Sequence, residues 1–281
     1  MRYSRNILPA ALAAAALAFG SPCAPASAGG VSVEAYGGRD MIVYVPSRLP
    51  PRGARALVIV LHGGLGNAQR IESGRSENGL NMDREAEQDG FIVAYLNGTP
   101  VTRRREPDML GWNAGGGCCG LSAENNVDDV GYIRGAVERL AGEYGVDRGR
   151  VYGIGHSNGA MMTQRIMCET SLFAAGVAIS GPLNLDAATC PAARGKRILA
   201  IHGADDQNVP VAGGQGTQGL SRTAYRSEDH SRQVFTTSGA VYDLQIVKGA
   251  DHKLDHIDAA LQRSEGHALA DKAAGFFGLR P

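Results

Sequence analysis

No excess of either charge marks this chain: 28 lysines and arginines stand against 28 aspartates and glutamates. That balance supplies no basic surface for a phosphate backbone, so nucleic acid is not an expected partner. Long apolar runs are missing too. The run 7–19 falls short of the about 20 residues that a membrane-spanning helix needs, and no later stretch reaches that length, so no stable membrane association is expected. No Pro-rich or Ser-rich linker and no internal repeat divides the chain, which reads as one domain. Gly-Lys-Ser/Thr, the mark of a phosphate-cradling loop, does not occur.

Cysteine is scarce, five in all. Cys23 lies in an N-terminal segment that reads as a secretory signal: basic Arg2 and Arg5, the apolar run, then small residues ending at Ala28. Cleavage there is expected to discard 1–28 and leave a catalytic domain over 29–281, in an extracellular or periplasmic location. Cys118, Cys119, Cys168 and Cys190 then remain, an even number that favours disulfides over a metal site in an exported protein and leaves three pairings open.

What the chain does contain is an alternation of two patterns. Strand-length apolar runs occur at 41–45, 56–61, 91–96, 151–154, 174–179, 198–201 and 242–247. The first alternates and stops at Pro46, as an edge strand does, whereas 56–61 is continuous, as a central parallel strand is. Helical spacing occupies 82–88, 130–144, 160–168 and 268–277, with Asp128 and Asp129 placed to cap the second of these. The alternation predicts an α/β fold, a mainly parallel central sheet with helices on both faces, whose chemistry lies at the carboxyl ends of strands.

One such strand end carries Gly155, His156, Ser157, Asn158, Gly159, a Gly-x-Ser-x-Gly placed between a strand and a helix. The pentapeptide alone is weak evidence, since a serine there could merely cap the helix; the strand-to-helix setting makes it persuasive. Glycines on both sides let strand and helix approach closely and push the hydroxyl outward. A serine hydroxyl is a poor nucleophile at neutral pH and needs a histidine base oriented by an acid. In folds of this type the order along the chain is serine, acid, histidine. The polar loop after 198–201 offers Asp205 and Asp206; the loop after 242–247 offers His252, with His256 farther from the strand end. His62, His156 and His202 fall outside that order and read as structural or supporting. The turn His62, Gly63, Gly64, Leu65, Gly66 follows a central strand and suits an oxyanion hole built from the backbone N–H of Asn158 with that of Gly64 or Leu65.

Together with Gly111, Trp112, Asn113, Ala114, Gly115, with Cys118, Cys119, Gly120 and with Asp128 to Gly131, these motifs resemble the polyhydroxybutyrate depolymerase and feruloyl esterase-like group of α/β-hydrolases, related to carbohydrate esterase family 1. The likeness spans nearly all of 29–281. It implies that Asp206, four residues before Pro210, is the acid rather than its neighbour Asp205. It also implies that Trp112 and Asn113 lie near the site's mouth as substrate-binding residues, although a lone tryptophan is as readily core packing. Where many members continue with Trp-Pro after the histidine, Lys253, Leu254, Asp255 follow here, a departure that bears on substrate more than on the triad. In this topology Cys168 ends the nucleophile helix and Cys190 precedes the next strand, so a bond between them is expected away from the site. Cys118 and Cys119 belong on the site's side, bonded to one another or elsewhere.

The expected activity is hydrolysis of small or polymeric carboxylic esters through an acyl-enzyme on Ser157, needing no metal or organic cofactor. Hydroxyalkanoate esters rank first as substrates and feruloyl or acetyl-xylan esters second. A serine peptidase and a catalytically silent cell-surface binding protein are the competing classes.

Overall fold

The computed structural model describes residues 29–74, 77–102, 108–218 and 223–280. The expected signal segment lies outside them. Ten strands are present there: β1 (Gly30–Tyr36), β2 (Arg39–Val45), β3 (Arg55–Leu61), β4 (Ile92–Leu96), β5 (Thr99–Pro100), β6 (Leu110–Gly111), β7 (Val146–His156), β8 (Ala175–Ile179), β9 (Arg197–Gly203) and β10 (Val241–Val247). Eight form one sheet in the order β1-β2-β4-β3-β7-β8-β9-β10. From β4 to β10 every pairing is parallel, while β1 and β2 pair antiparallel at one side. The short β5 and β6 pair with each other.

Alternation along the central strands divides the core in two. Leu57, Ile59 and Leu61 of β3 face one helical layer, and Ala56, Val58 and Val60 face the other. The first layer holds α4 (Asp129–Tyr144), α5 (Asn158–Glu169) and α6 (Glu228–Thr237). On the opposite face lie α1 (Ala68–Glu72), α2 (Asp83–Asp89), α7 (Leu254–Glu265) and α8 (Leu269–Phe276). The remaining α-helix among the described residues is the short α3 (Gly120–Glu124). Because these strand side chains are fully enclosed, truncating one such as Ile59 to alanine should cost about 2–5 kcal/mol.

The fold is the expected α/β architecture, with two corrections. The segment 41–45 is not at the edge, since β1 covers it. That strand reverses the usual alternation: Val31 and Val33 are about half exposed, at 54% and 50%, while Glu34 is buried and paired with Arg139. A period-two search for apolar residues facing inward passes over it. The second correction concerns α4. Asp128 caps it, accepting the Gly131 N–H at 2.8 Å, but Asp129 is buried and accepts the Asn113 N–H at 2.7 Å and an Arg39 N–H at 2.6 Å. Asp129 thus ties β2 and the 111–119 loop to the helix, and burial raises its carboxyl above the usual range against the pull of those partners.

Candidate active site

β7 runs directly into Ser157, and α5 begins one residue later. Ser157 sits at φ 54°, ψ −121°, a region that side-chain-bearing residues occupy at a cost of about 1–3 kcal/mol. The surroundings compel it. A Cβ at Gly155 would come within 2.3 Å of the Gly159 carbonyl oxygen, and one at Gly159 within 2.1 Å of the Leu61 carbonyl oxygen. Only two glycines let the helix begin this close to β3 and β7. The Ser157 N–H is held by the Ile179 carbonyl at 2.8 Å. Its side chain makes no capping bond to α5 and meets His252 instead.

His252 lies in the loop after β10, and its Nε2 is 2.9 Å from Ser157 Oγ. Its Nδ1 is 2.7 Å from Asp206 Oδ2. Asp206 follows β9 and is buried; its Oδ1 accepts the N–H groups of Asn208 and Val209, each at 2.8 Å. Burial alone would raise this carboxyl, but hydrogen bonds from His202 and His252 outweigh it and hold Asp206 far below the usual carboxylate range. Asp205, next in the loop, is exposed, and His256 is drawn off to Asp251 at 2.9 Å. The three residues singled out from the sequence are therefore brought together, and their close competitors are not.

The turn after β3 faces this group across a cleft of about 590 Å³ that Gly64, Leu65, Asn158, Ser157 and His252 all line. Leu65 takes φ 65°, which turns the chain sharply there. As the first residue of α5, Asn158 has a backbone N–H without an intrahelical acceptor, available to an oxyanion. Its side chain is occupied otherwise: Oδ1 accepts the Trp112 N–H at 2.7 Å and Nδ2 donates to the Trp112 carbonyl at 3.0 Å. His62 braces the turn by donating from Nδ1 to the Gly63 carbonyl at 2.8 Å while Nε2 accepts the Gly98 N–H at 3.0 Å. His156 donates from Nε2 to the His252 carbonyl at 2.8 Å. Burial lowers His62 to about 4 and His156 to about 3, so both are neutral at pH 7.

Trp112 and Asn113 depart from the expectation of a substrate-binding mouth. Trp112 has 0% exposure; its Nε1 donates to the His62 carbonyl at 2.9 Å and its ring lies against Tyr132 in the core. Asn113 is also buried, its Nδ2 donating to the Val127 carbonyl at 3.0 Å. Neither lines the cleft. They act behind it, Trp112 by fixing Asn158. The cleft wall is formed instead by Cys119, Gly120, Val101, Val209 and Tyr225. Cys119 is disulfide-bonded to Cys118, and Cys168 to Cys190. Reasoning from the sequence missed Glu228, which binds His202 at 2.7 Å, because 26 residues separate the pair and no motif marks the glutamate. Among the described residues no cluster of three or more His, Cys, Asp or Glu is placed to hold a metal ion, and no helix is long and apolar enough to cross a membrane.

A family model described as phospholipase/carboxylesterase matches residues 49–254. The chain is 30% identical to feruloyl esterase B of Piromyces equi over 180 residues, which are 63% of this chain and 31% of that protein. It is 32% identical to acetylxylan esterase A of Emericella nidulans over 146 residues, 50% of this chain and 41% of that one. The chain spans less than half the length of the curated relatives it matches. A poly(3-hydroxybutyrate) depolymerase of Bordetella parapertussis shares the fold at TM-score 0.56 and 16% identity, covering 88% of this chain and 94% of that one. An acetyl xylan esterase from Aspergillus awamori does so at TM-score 0.55 and 19% identity, with 86% and 94% covered. By its match over 49–254, within a sheet and helices of the α/β-hydrolase type, the chain belongs to the phospholipase/carboxylesterase family.

Proposed function

We propose that this protein is a secreted serine esterase that cleaves carboxylic esters through an acyl-enzyme on Ser157. The observation that carries the reading is the unbroken line of contacts from Ser157 Oγ to His252 Nε2 at 2.9 Å and from His252 Nδ1 to Asp206 Oδ2 at 2.7 Å. In this mechanism His252 takes the Oγ proton as the serine attacks the ester carbonyl, and Asp206 stabilises the imidazolium that results. The backbone N–H of Asn158, with that of Gly64 or Leu65, receives the oxyanion; such a donor is worth about 3–4 kcal/mol in the transition state. His252 then protonates the departing alkoxide, and the same steps with water release the acid. No step calls for a metal or an organic cofactor.

Hydroxyalkanoate esters and their oligomers are the substrates favoured, and a cleft of about 590 Å³ has room for a short oligomer. The names of the curated relatives support a second reading, feruloyl or acetyl-xylan esters. Export is supported by the signal-like segment 1–28 and by two disulfides, which persist in oxidising compartments. Incubation with 3-hydroxybutyrate oligomers, methyl ferulate and acetylated xylan, each followed by product mass, tests the assignment. Cleavage of the oligomers at the highest kcat/KM is expected; inactivity on all three would reject both substrate classes. A peptide anilide turned over faster than any ester would instead identify a peptidase.

A further inference from the structure

Behind Asp206 stands a second set of buried ionisable groups that the proposed reaction does not use. His202, near the end of β9, is wholly enclosed. Its Nε2 is 3.1 Å from Asp206 Oδ2 and 2.9 Å from the Val209 carbonyl, and its Nδ1 is 2.7 Å from Glu228 Oε1. Glu228, the first residue of α6, is buried as well. Its Oε2 accepts the Tyr242 hydroxyl from β10 at 2.8 Å, and that hydroxyl also lies 3.3 Å from Gln164 of α5.

A count of protons assigns the charge. Nε2 faces two oxygens that only accept, because Asp206 already receives the N–H groups of Asn208, Val209 and His252 as a carboxylate. Nε2 therefore carries a hydrogen. A neutral ring would then point the bare lone pair of Nδ1 at Glu228, and a contact of 2.7 Å requires a proton between them. The imidazole is the stronger base of the two, and carboxylates on both sides favour its charged form. Burial alone would lower His202, but its hydrogen bonds to Asp206 and Glu228 outweigh that and raise it to about 10. The other ionisable neighbours do not supply a competing charge: His156 from β7 is neutral by burial, and Tyr242 is raised well above its usual value.

We propose that Glu228 and His202 form a second, fully buried dyad that holds Asp206 ionised and oriented through Oδ2, the same oxygen that meets His252. Both are positioning residues, and the inference rests on the reading of Asp206 as the group that orients His252.

Nitrogen-15 spectra of the histidine rings in the full chain test the protonation directly. Both ring nitrogens of His202 should stay protonated from about pH 6 to about pH 9; a neutral ring in that range overturns the proposal. For activity, His202→Gln combined with Glu228→Gln replaces the charges by hydrogen-bonding amides. Removing a positive charge next to Asp206 and a negative one farther away should move the acid limb of kcat/KM upward by about 0.5–1 pH unit with KM unchanged. A lower Tm with an unmoved limb would assign the pair a purely structural role and overturn the proposal. Should that double variant fail to fold, Glu228→Gln alone should let His202 titrate below about pH 8, and an undiminished imidazolium would count against the dyad. Full turnover by Ser157→Ala would reject the esterase reading, while the ring spectra still report on His202 separately.

Discussion

The two ends of α5 meet opposite demands. At the first, Ser157 is held at positive φ, Gly155 and Gly159 leave no room for a side chain, and three polar loops converge. At the other, Thr170 returns its hydroxyl to the Ile166 carbonyl at 2.8 Å and Cys168 is bonded to Cys190, 22 residues later in the chain. Strain is tolerated at the Ser157 end because hydrogen bonds and the sheet pin it from several sides. The far end carries no strained backbone and contributes a covalent link that ties α5 to the chain entering β9, the strand that Asp206 follows. The candidate site and the covalent link are thus separated along twelve residues of one helix.

Variants at each end can break that separation. Ser157→Ala should lower kcat on a p-nitrophenyl ester by at least about 10⁴-fold with Tm little changed; residual turnover above that limit would move the nucleophile elsewhere. Gly159→Ala places a methyl group against the backbone of β3, so a loss of about 3 kcal/mol or more in urea unfolding is expected, with activity lost alongside. A stable, active Gly159→Ala protein would show that the helix can retreat. At the other end, Cys168→Ser with Cys190→Ser should cost about 3 kcal/mol and about 5–10 °C in Tm, while kcat per folded molecule stays within about twofold. A larger fall in kcat would mean that the link positions the site as well as the fold.

Legibility in the sequence followed locality. Ser157, Asp206 and His252 were readable because each lies shortly past a strand-length segment, so chain order supplied what distance could not. The seven strands foreseen are those buried on both faces or flanked by turn residues. β1 escaped because its apolar residues face solvent and its buried residue is Glu34, a pattern that Arg139 and Tyr144, over 100 residues away, make tolerable. α7 was missed although Leu254, Ile257, Ala260 and Leu261 are spaced for one helical face. Trp112 shows the remaining limit. Whether a tryptophan lines a cleft or backs it is decided by the residues around it, here His62, Asn158 and Tyr132, which come from three separate segments.

The smallest effect expected concerns pH, and it too belongs to one end of the helix. The buried histidines, His62, His156 and His202, all lie at the carboxyl ends of β3, β7 and β9, around Ser157. His62 and His156, held by burial at about 4 and about 3, are bound neutral, so the stability they allow is present above the unfolded value of about 6.5 and is lost as pH falls. His202, raised to about 10 by Asp206 and Glu228 against its burial, contributes stability that is full below about 6.5 and is lost as pH rises towards 10. Urea midpoints should therefore peak near about pH 6.5 and decline on both sides. Between about pH 5.5 and about pH 6.5, His156→Gln should lessen the slope of the acid arm, to which His62 also contributes, and leave the alkaline arm intact. The disulfide variant should lower the whole curve without changing its shape, because no buried histidine lies at that end; a disulfide variant with an altered slope would show that the two ends are coupled through α5.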